Sequence, residues 1–230
     1  MNNCEHFTLL RENIRQKALA CGRDPDDVEL IAVSKKQSLD KITSIHACGQ
    51  KIFGENYLQE AQEKMQHCPH DLCWHFIGHL QSNKVAAAVE HFDVIQTVDR
   101  IKIARKIQLH ASKMNKTQHI LVQVNVGREK QKSGVLPEDA EELLTMIAQE
   151  PNIRVLGLMT MPPWSSDPEE ARPYFRHLRE LGEMLSGKGL FASRDRVELS
   201  MGMSGDYLVA IEEGATMVRI GTALFGTRQE

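Results

Sequence analysis

The feature that most constrains the fold of this chain is a regular alternation of short apolar runs with longer segments of helical periodicity. Eight apolar runs have the length of a strand, and each except the last is followed by a helix-like stretch. An amphipathic helix, from about Glu5 to Cys21, precedes the first of them. The predicted strands are Glu29–Ser34, Lys51–Gly54, Trp74–Ile77, Val94–Val98, His119–Val126, Arg154–Met159, Val197–Ser200 and Met217–Ile220.

Strict alternation of strands and helices indicates parallel strands joined by crossover helices. Eight such units in a chain of 230 residues favour a closed (β/α)₈ TIM barrel over an open doubly wound sheet. The dinucleotide-binding form of the open sheet is a weak alternative, because AVSKKQ stands where a G-x-G-x-x-G turn would follow the first strand. We therefore predict one domain over residues 1–230, with an irregular flap over residues 162–168.

Charge and composition argue against several classes of function. The 31 acidic and 28 basic side chains give a formal net charge of -3, which provides no positive field for nucleic acid or anionic lipid. No stretch approaches the roughly 18 apolar residues of a membrane span, and the N-terminus has no secretory apolar segment. The five cysteines form no C-x-x-C pair, and the chain is too large to need a disulfide framework, so we expect a reducing cytoplasm.

In a parallel barrel, the functional residues stand at the carboxyl ends of the strands. Side-chain alternation directs Ile31, Val33 and Lys35 into the barrel, with Lys35 uppermost. Partial burial of this amine would lower its pKa and favour Schiff-base chemistry, although a lysine that ends a strand and extends into solvent is the commoner case. The same alternation turns Asn125 of the fifth strand and Arg219 of the eighth inward.

The segment LSMGMSGD, residues 199–206, has the composition of a phosphate-binding loop. It offers the hydroxyls of Ser200 and Ser204, two glycines and the amides of a following helix start. Gly221 and Thr222, directly after the eighth strand, offer further amides. Barrels commonly bind phosphate between the loops after strands seven and eight, where both features fall. Taken singly, such glycines and serines are ordinary turn residues.

Taken together, these residues resemble the pyridoxal 5′-phosphate (PLP) homeostasis protein family. The resemblance extends over nearly the whole chain and implies a barrel of the alanine racemase N-terminal type, with an extra N-terminal helix. The motifs that carry it are LIAVSK (30–35), FGENYLQE (53–60), WHFIGHLQSNK (74–84), KSG (132–134), GLMTM (157–161), LSMGMSGD (199–206) and MVRIGTALFG (217–226).

The resemblance also implies a cofactor site of seven residues. PLP would be held as an internal aldimine on Lys35, and Asn56 would lie near its ring. Arg219 would face the pyridine nitrogen, which disfavours protonation of that nitrogen and weakens the ring as an electron sink. The phosphate would be bound by the remaining four residues, Ser200, Ser204, Gly221 and Thr222.

The family resemblance favours a carrier, which sequesters PLP or hands it to PLP-dependent apo-enzymes, over an enzyme. Racemisation needs a base on each face of the substrate α-carbon. In alanine racemases the second base is a tyrosine from a C-terminal domain across a dimer interface, whereas this chain ends at Glu230, directly after the barrel closes. We therefore predict a monomeric, cytoplasmic PLP-binding protein. A weak PLP-dependent amino-acid racemase, with Tyr57 near the rim, is the alternative.

Two further features are ambiguous in the sequence. Six His and Cys side chains lie between residues 67 and 79, but their spacing matches no standard zinc pattern, so we predict no metal site. Lys132 is either a second amine near the rim or a charged loop residue, and we favour the loop residue.

Overall fold

The computed structural model describes residues 3–193 and 196–226. Each strand pairs in parallel with the next along the chain, and the eighth pairs with the first, so the sheet closes into a barrel. The predicted (β/α)₈ barrel is confirmed, and no strand limit is displaced by more than three residues. The strands are β1 (Glu29–Val33), β2 (Ile52–Glu55), β3 (Cys73–Phe76), β4 (Val94–Val98), β5 (Gln118–Gln123), β6 (Ile153–Met159), β7 (Glu198–Ser200) and β8 (Met217–Ile220).

Helices occupy every crossover between consecutive strands. They are α1 (Asn3–Ala20), α2 (Leu39–Ala47), α3 (Leu58–Met65), α4 (Val85–His91), α5 (Ile101–Lys113), α6 (Ala140–Ile147), α7 (Arg172–Gly187), α8 (Tyr207–Glu212) and α9 (Thr222–Phe225). Short 3₁₀ turns, each beginning at a proline, cover Pro25–Asp27, Pro137–Asp139 and Pro168–Ala171. In the part of the chain that the structure describes, no helix combines the length and apolarity needed to cross a bilayer.

The sheet separates two apolar layers, as the alternation of side chains predicts. Outward residues of β1 and β8, such as Leu30 and Val218, join the large core between the sheet and the helices. Inward residues of four strands form a separate apolar cluster within the barrel: Ile31, Leu121, Met159 and Met217. The interior is therefore a packed core, and the space available for a ligand lies at the carboxyl ends of the strands.

Helix α1 packs on the outside of the barrel, against α2, α8 and α9. It buries the apolar side chains that the sequence pattern predicts, among them Leu10 and Ile14. Its first turn also brings Cys4 to a Cα–Cα distance of 5.8 Å from Cys48, and the two cysteines form a disulfide. This bond departs from the expectation of reduced cysteines, which rested on their number and spacing alone. Nothing in that spacing shows that the two helices meet.

Candidate functional site

A cavity of about 280 Å³ opens at the carboxyl end of the barrel. This volume lies near the lower limit for small-molecule sites. The structure brings six of the seven predicted site residues to its wall, and Ser200 is the exception. The six residues are Lys35, Asn56, Ser204, Arg219, Gly221 and Thr222.

Lys35 follows β1 in a turn in which both neighbouring residues are hydrogen-bonded to other elements. Its side chain is half-buried and lines the cavity. Before it, the Ser34 amide donates to the Gly54 carbonyl of β2 at 3.1 Å. After it, Lys36 has a φ of 59°, a left-handed conformation that is unfavourable for a lysine, and its amide donates to the carboxylate of Glu60 on α3. The backbone on either side of Lys35 is thus tied to the neighbouring elements.

Arg219 is a buried cation on the cavity wall, as its predicted inward orientation requires. Its guanidinium donates to the Ser200 hydroxyl and to the Thr160 carbonyl, each at 2.7 Å. Burial lowers the pKa of Arg219 to about 10, while the nearby carboxylate of Asp206 acts in the opposite direction. Arg219 therefore stays charged at neutral pH.

Ser200 lies inside the barrel and does not reach the cavity. Its hydroxyl accepts from Arg219 and donates to Gln96 Oε1 at 2.7 Å, and Gln96 Nε2 lies 2.8 Å from His75 Nδ1. Burial lowers the pKa of His75 to about 4. Ser200 therefore supports Arg219, and this geometry lends no support to direct contact with a phosphate. His75 was considered above only as one of the six His and Cys side chains, and Gln96 was not predicted, although a polar side chain within the apolar strand VIQTV was an available signal.

The loops predicted to bind phosphate meet at one side of the cavity. The Ser204 hydroxyl accepts from the Ala223 amide at 3.3 Å, which links the loop after β7 to α9. Gly221 and Thr222 form the start of α9, and the first amides of a helix have no acceptor within it. Asp206 caps its own loop by accepting from a backbone amide at 2.6 Å, and burial raises its pKa. This side of the cavity offers the amide and hydroxyl donors that an anion requires.

Asn56 lines the cavity and has a buried side-chain oxygen. Within the described residues, its Oδ1 has no hydrogen-bond partner, and buried polar atoms of this kind normally have one. The adjacent backbone needs glycine, because a Cβ on Gly78 would lie 2.1 Å from the Asn56 carbonyl oxygen. Only glycine at position 78 therefore allows the backbone of Asn56 to pass this close at the cavity wall.

The loop after β6 covers one side of the cavity mouth. Trp164 lines the cavity from this loop and is 86% exposed. Lys132 donates to the Pro162 carbonyl at 2.8 Å and forms an ion pair with Glu129, so it links two rim loops. Tyr57 is 53% exposed and lines a neighbouring groove instead of the cavity.

The histidines and cysteines between residues 67 and 79 do not converge. In residues 3–193 and 196–226, no group of three or more metal-ligating side chains comes together. His75 points into the barrel, Cys68 is buried, and His79 Nδ1 lies 2.9 Å from the Ser133 hydroxyl at the rim.

Comparison with known proteins identifies the family. The family model described as the alanine racemase N-terminal domain matches residues 7–229. A pyridoxal phosphate homeostasis protein of Aquifex aeolicus (strain VF5) is 45% identical over 230 residues, which cover 100% of both chains. The chain belongs to the pyridoxal phosphate homeostasis protein family. The family resemblance drawn from the motifs is thereby confirmed.

Among solved structures, one similar protein contains PLP. PipY of Synechococcus elongatus PCC7942, whose structure has PLP bound, is 34% identical with a TM-score of 0.84, over 98% of this chain and 100% of PipY. Alanine racemase of Clostridium difficile 630 is 15% identical with a TM-score of 0.75, over 98% of this chain and 58% of the racemase. At that identity, the likeness to the racemase shows the fold alone.

Proposed function

We propose that this protein binds PLP and takes part in intracellular PLP homeostasis, by buffering the cofactor or delivering it. The observation that carries the proposal is a barrel-mouth cavity lined by Lys35, by the buried cation Arg219 and by residues with amide and hydroxyl donors. Family membership and the PLP-bound structure of PipY support it. Asn56, which lines the same cavity, also fits a polar ligand.

In this proposal, Lys35 attaches the cofactor covalently and reversibly. The amine nitrogen bonds to the aldehyde carbon, the aldehyde oxygen leaves as water, and hydrolysis reverses the reaction. Arg219 faces the pyridine nitrogen and keeps it unprotonated, which weakens the ring as an electron sink. Ser204 and the amides of Gly221 and Thr222 hold the phosphate. Asn56 lies beside the ring, and Ser200 acts through Arg219.

The visible spectrum of the purified protein tests the attachment site. We expect protein loaded with PLP to be yellow and the Lys35→Ala variant to be colourless, because that variant lacks the proposed amine. Lys36→Ala is the matched control and should keep the colour, since Lys36 is exposed beside the cavity. Colour retained in Lys35→Ala would assign the attachment to another lysine, and a colourless wild type would contradict PLP binding itself.

Transfer of PLP to an apo-enzyme is the experiment that distinguishes a carrier from an enzyme. Loaded protein should restore the activity of a PLP-dependent apo-enzyme, and no transfer over a long incubation would count against delivery. In the described residues, no tyrosine lines the cavity, so the second base of a racemase has no tyrosine candidate there. Deuterium exchange at the α-carbon of amino acids should therefore be absent, and exchange that depends on Lys35 would contradict the carrier.

We further propose that the protein acts as a monomer in the cytoplasm, with PLP-dependent apo-enzymes as transient partners. The large exposed apolar side chains include Trp164, Tyr57 and members of α1, α5, α7 and α8, and a stable interface would have to gather such area in one patch. Light scattering should give the mass of one chain, and twice that mass would overturn the monomer. Cell fractionation tests the compartment.

A further inference from the structure

A buried ionic cluster lies beside the turn that carries Lys35. Its centre is Lys64 of α3, whose side chain is 8% exposed. The Lys64 ammonium donates to the Ser34 carbonyl at 2.6 Å, to Glu55 Oε1 at 2.7 Å and to Glu60 Oε1 at 2.5 Å. An ammonium has three donors, so these contacts use all of them. We call Ser34, Glu55, Glu60 and Lys64 the Lys64 cluster.

The Lys64 cluster holds the residues on both sides of Lys35. The Ser34 hydroxyl donates to Glu55 Oε1 at 2.7 Å, while the Ser34 carbonyl accepts from the cluster ammonium. The Lys36 amide donates to Glu60, which stabilises the left-handed conformation at that position. Lys35 thus stands between two anchored residues, and its side chain extends into the cavity.

Burial of the charges in the Lys64 cluster carries a desolvation cost. Glu55 is fully buried, and burial raises its pKa, while the ammonium of Lys64 acts in the opposite direction. Desolvation of a buried ion pair often cancels its Coulombic attraction, so apolar residues of similar volume can be as stable or more so. A buried ionic group can instead select one local conformation. Here the conformation in question is that of the turn at Lys35.

We propose that Lys64 and Glu60 are positioning residues, which together hold residues 34–36 in the conformation that directs the Lys35 amine into the cavity. The inference rests on the proposed function, since it takes Lys35 as the point of cofactor attachment. It adds two residues of α3 to the site, although neither lines the cavity itself.

Replacement of the buried charge tests the proposal. Lys64→Met keeps an unbranched apolar side chain as far as the ε position and removes the ammonium. We expect its affinity for PLP, measured by titration of the visible band, to fall by about tenfold or more, because the reacting amine is no longer held in place. Lys116→Met is the matched control, because that half-buried lysine binds the Val89 and Phe92 carbonyls, at 2.6 and 2.9 Å, near the amino ends of the strands. It should lose stability yet bind PLP within about twofold of the wild type.

A second pair of variants distinguishes positioning from general damage to the fold. Glu60→Gln keeps an oxygen that can accept from the Lys36 amide, whereas Glu60→Ala removes it. We expect Glu60→Ala to lose affinity for PLP and Glu60→Gln to recover most of it. This pair decides the question if Lys64→Met does not fold by circular dichroism.

The outcomes separate this inference from the function on which it rests. Folded Lys64→Met with wild-type affinity, or Glu60→Ala and Glu60→Gln with equal affinity, would overturn the positioning role while a yellow wild type leaves PLP binding intact. A wild type that forms no visible band would overturn both.

Discussion

Arg219 and His75 are both buried in the barrel interior, but at neutral pH Arg219 is charged and His75 is neutral. Arg219 keeps its charge because its pKa, although lowered to about 10, stays above neutral pH. The ring of His75 stays neutral because burial lowers its pKa to about 4. Ser200 and Gln96 connect the two by hydrogen bonds. Among these four hydrogen-bonded residues, the charged one is Arg219, which lines the cavity.

The neutral state of His75 makes the stability of the protein depend on pH. The unfolded chain binds a proton on this ring near pH 6.5, whereas the folded protein does so only near pH 4. The stabilisation is therefore present above pH 6.5 and is lost as the pH falls towards 4. The difference corresponds to roughly 3 kcal/mol in the free energy of unfolding. Urea unfolding at several pH values between 7 and 4 measures it.

The control for this prediction is His75→Gln, which does not titrate but can still bond to Gln96. The variant should lose less stability than the wild type over the same pH range, and the difference isolates the contribution of His75. Identical pH profiles for the two proteins would show that His75 makes no such contribution.

The shortest strand of the barrel is β7, with three residues. Gly157 of β6 pairs with Glu198 of β7, and a Cβ on Gly157 would lie 1.9 Å from the Glu198 carbonyl oxygen. We expect Gly157→Ala to lower the free energy of unfolding by about 3 kcal/mol or more, because backbone atoms would have to separate. Denaturant unfolding measures the loss.

Gly187 supplies the matched control for this prediction. It is the last residue of α7, and a Cβ there would meet nothing within 4 Å. Gly187→Ala should be neutral or stabilising by about 0.5–1 kcal/mol, because alanine favours the helix. If the two alanine variants had equal stability, steric contact between β6 and β7 would not be the cause.

The elements and their orientations could be predicted because they depend on local periodicity. The inward positions of Lys35 and Arg219 follow from alternation along a strand, and both line the cavity. The depth of Ser200 in the barrel could not be predicted in this way. Ser200 pairs with Met217, two residues before Arg219, so it lies one layer deeper than the phosphate-binding position assigned to it. That stagger between strands is a property of the closed barrel, and the local sequence pattern does not contain it.

The contacts that the sequence did not reveal join residues on different elements. Lys64 reads as one charged residue of an amphipathic helix, yet it is buried against Glu55 of β2. Cys4 and Cys48 are 44 positions apart and meet because α1 packs on α2. Neither pairing has a characteristic spacing, so both required the assembled fold.

For the molecule as a whole, cofactor binding should appear as added stability. A ligand that binds the folded chain alone, at about 100 times its dissociation constant, adds about 2.7 kcal/mol. For a chain of this length, that corresponds to an increase in Tm of about 5–10 °C. Differential scanning calorimetry with PLP measures this shift, which Lys35→Ala should largely lose.

Pyridoxine 5′-phosphate provides the control for this shift. It carries the same ring and phosphate without the aldehyde, so it can occupy the phosphate donors but cannot bond to Lys35. It should raise Tm less than PLP does. An equal shift for the two compounds would contradict covalent attachment and leave non-covalent binding as the source of the stability.

The apolar cluster inside the barrel bears on how a carrier can exchange its cargo. Ile31, Leu121, Met159 and Met217 pack together inside the described barrel, next to the buried polar side chains of His75, Gln96 and Ser200, so side chains occupy the route from the opposite end. Under the proposed function, PLP would therefore enter and leave by the same opening, beside Trp164. A recipient enzyme could take the cofactor only at that mouth of the barrel.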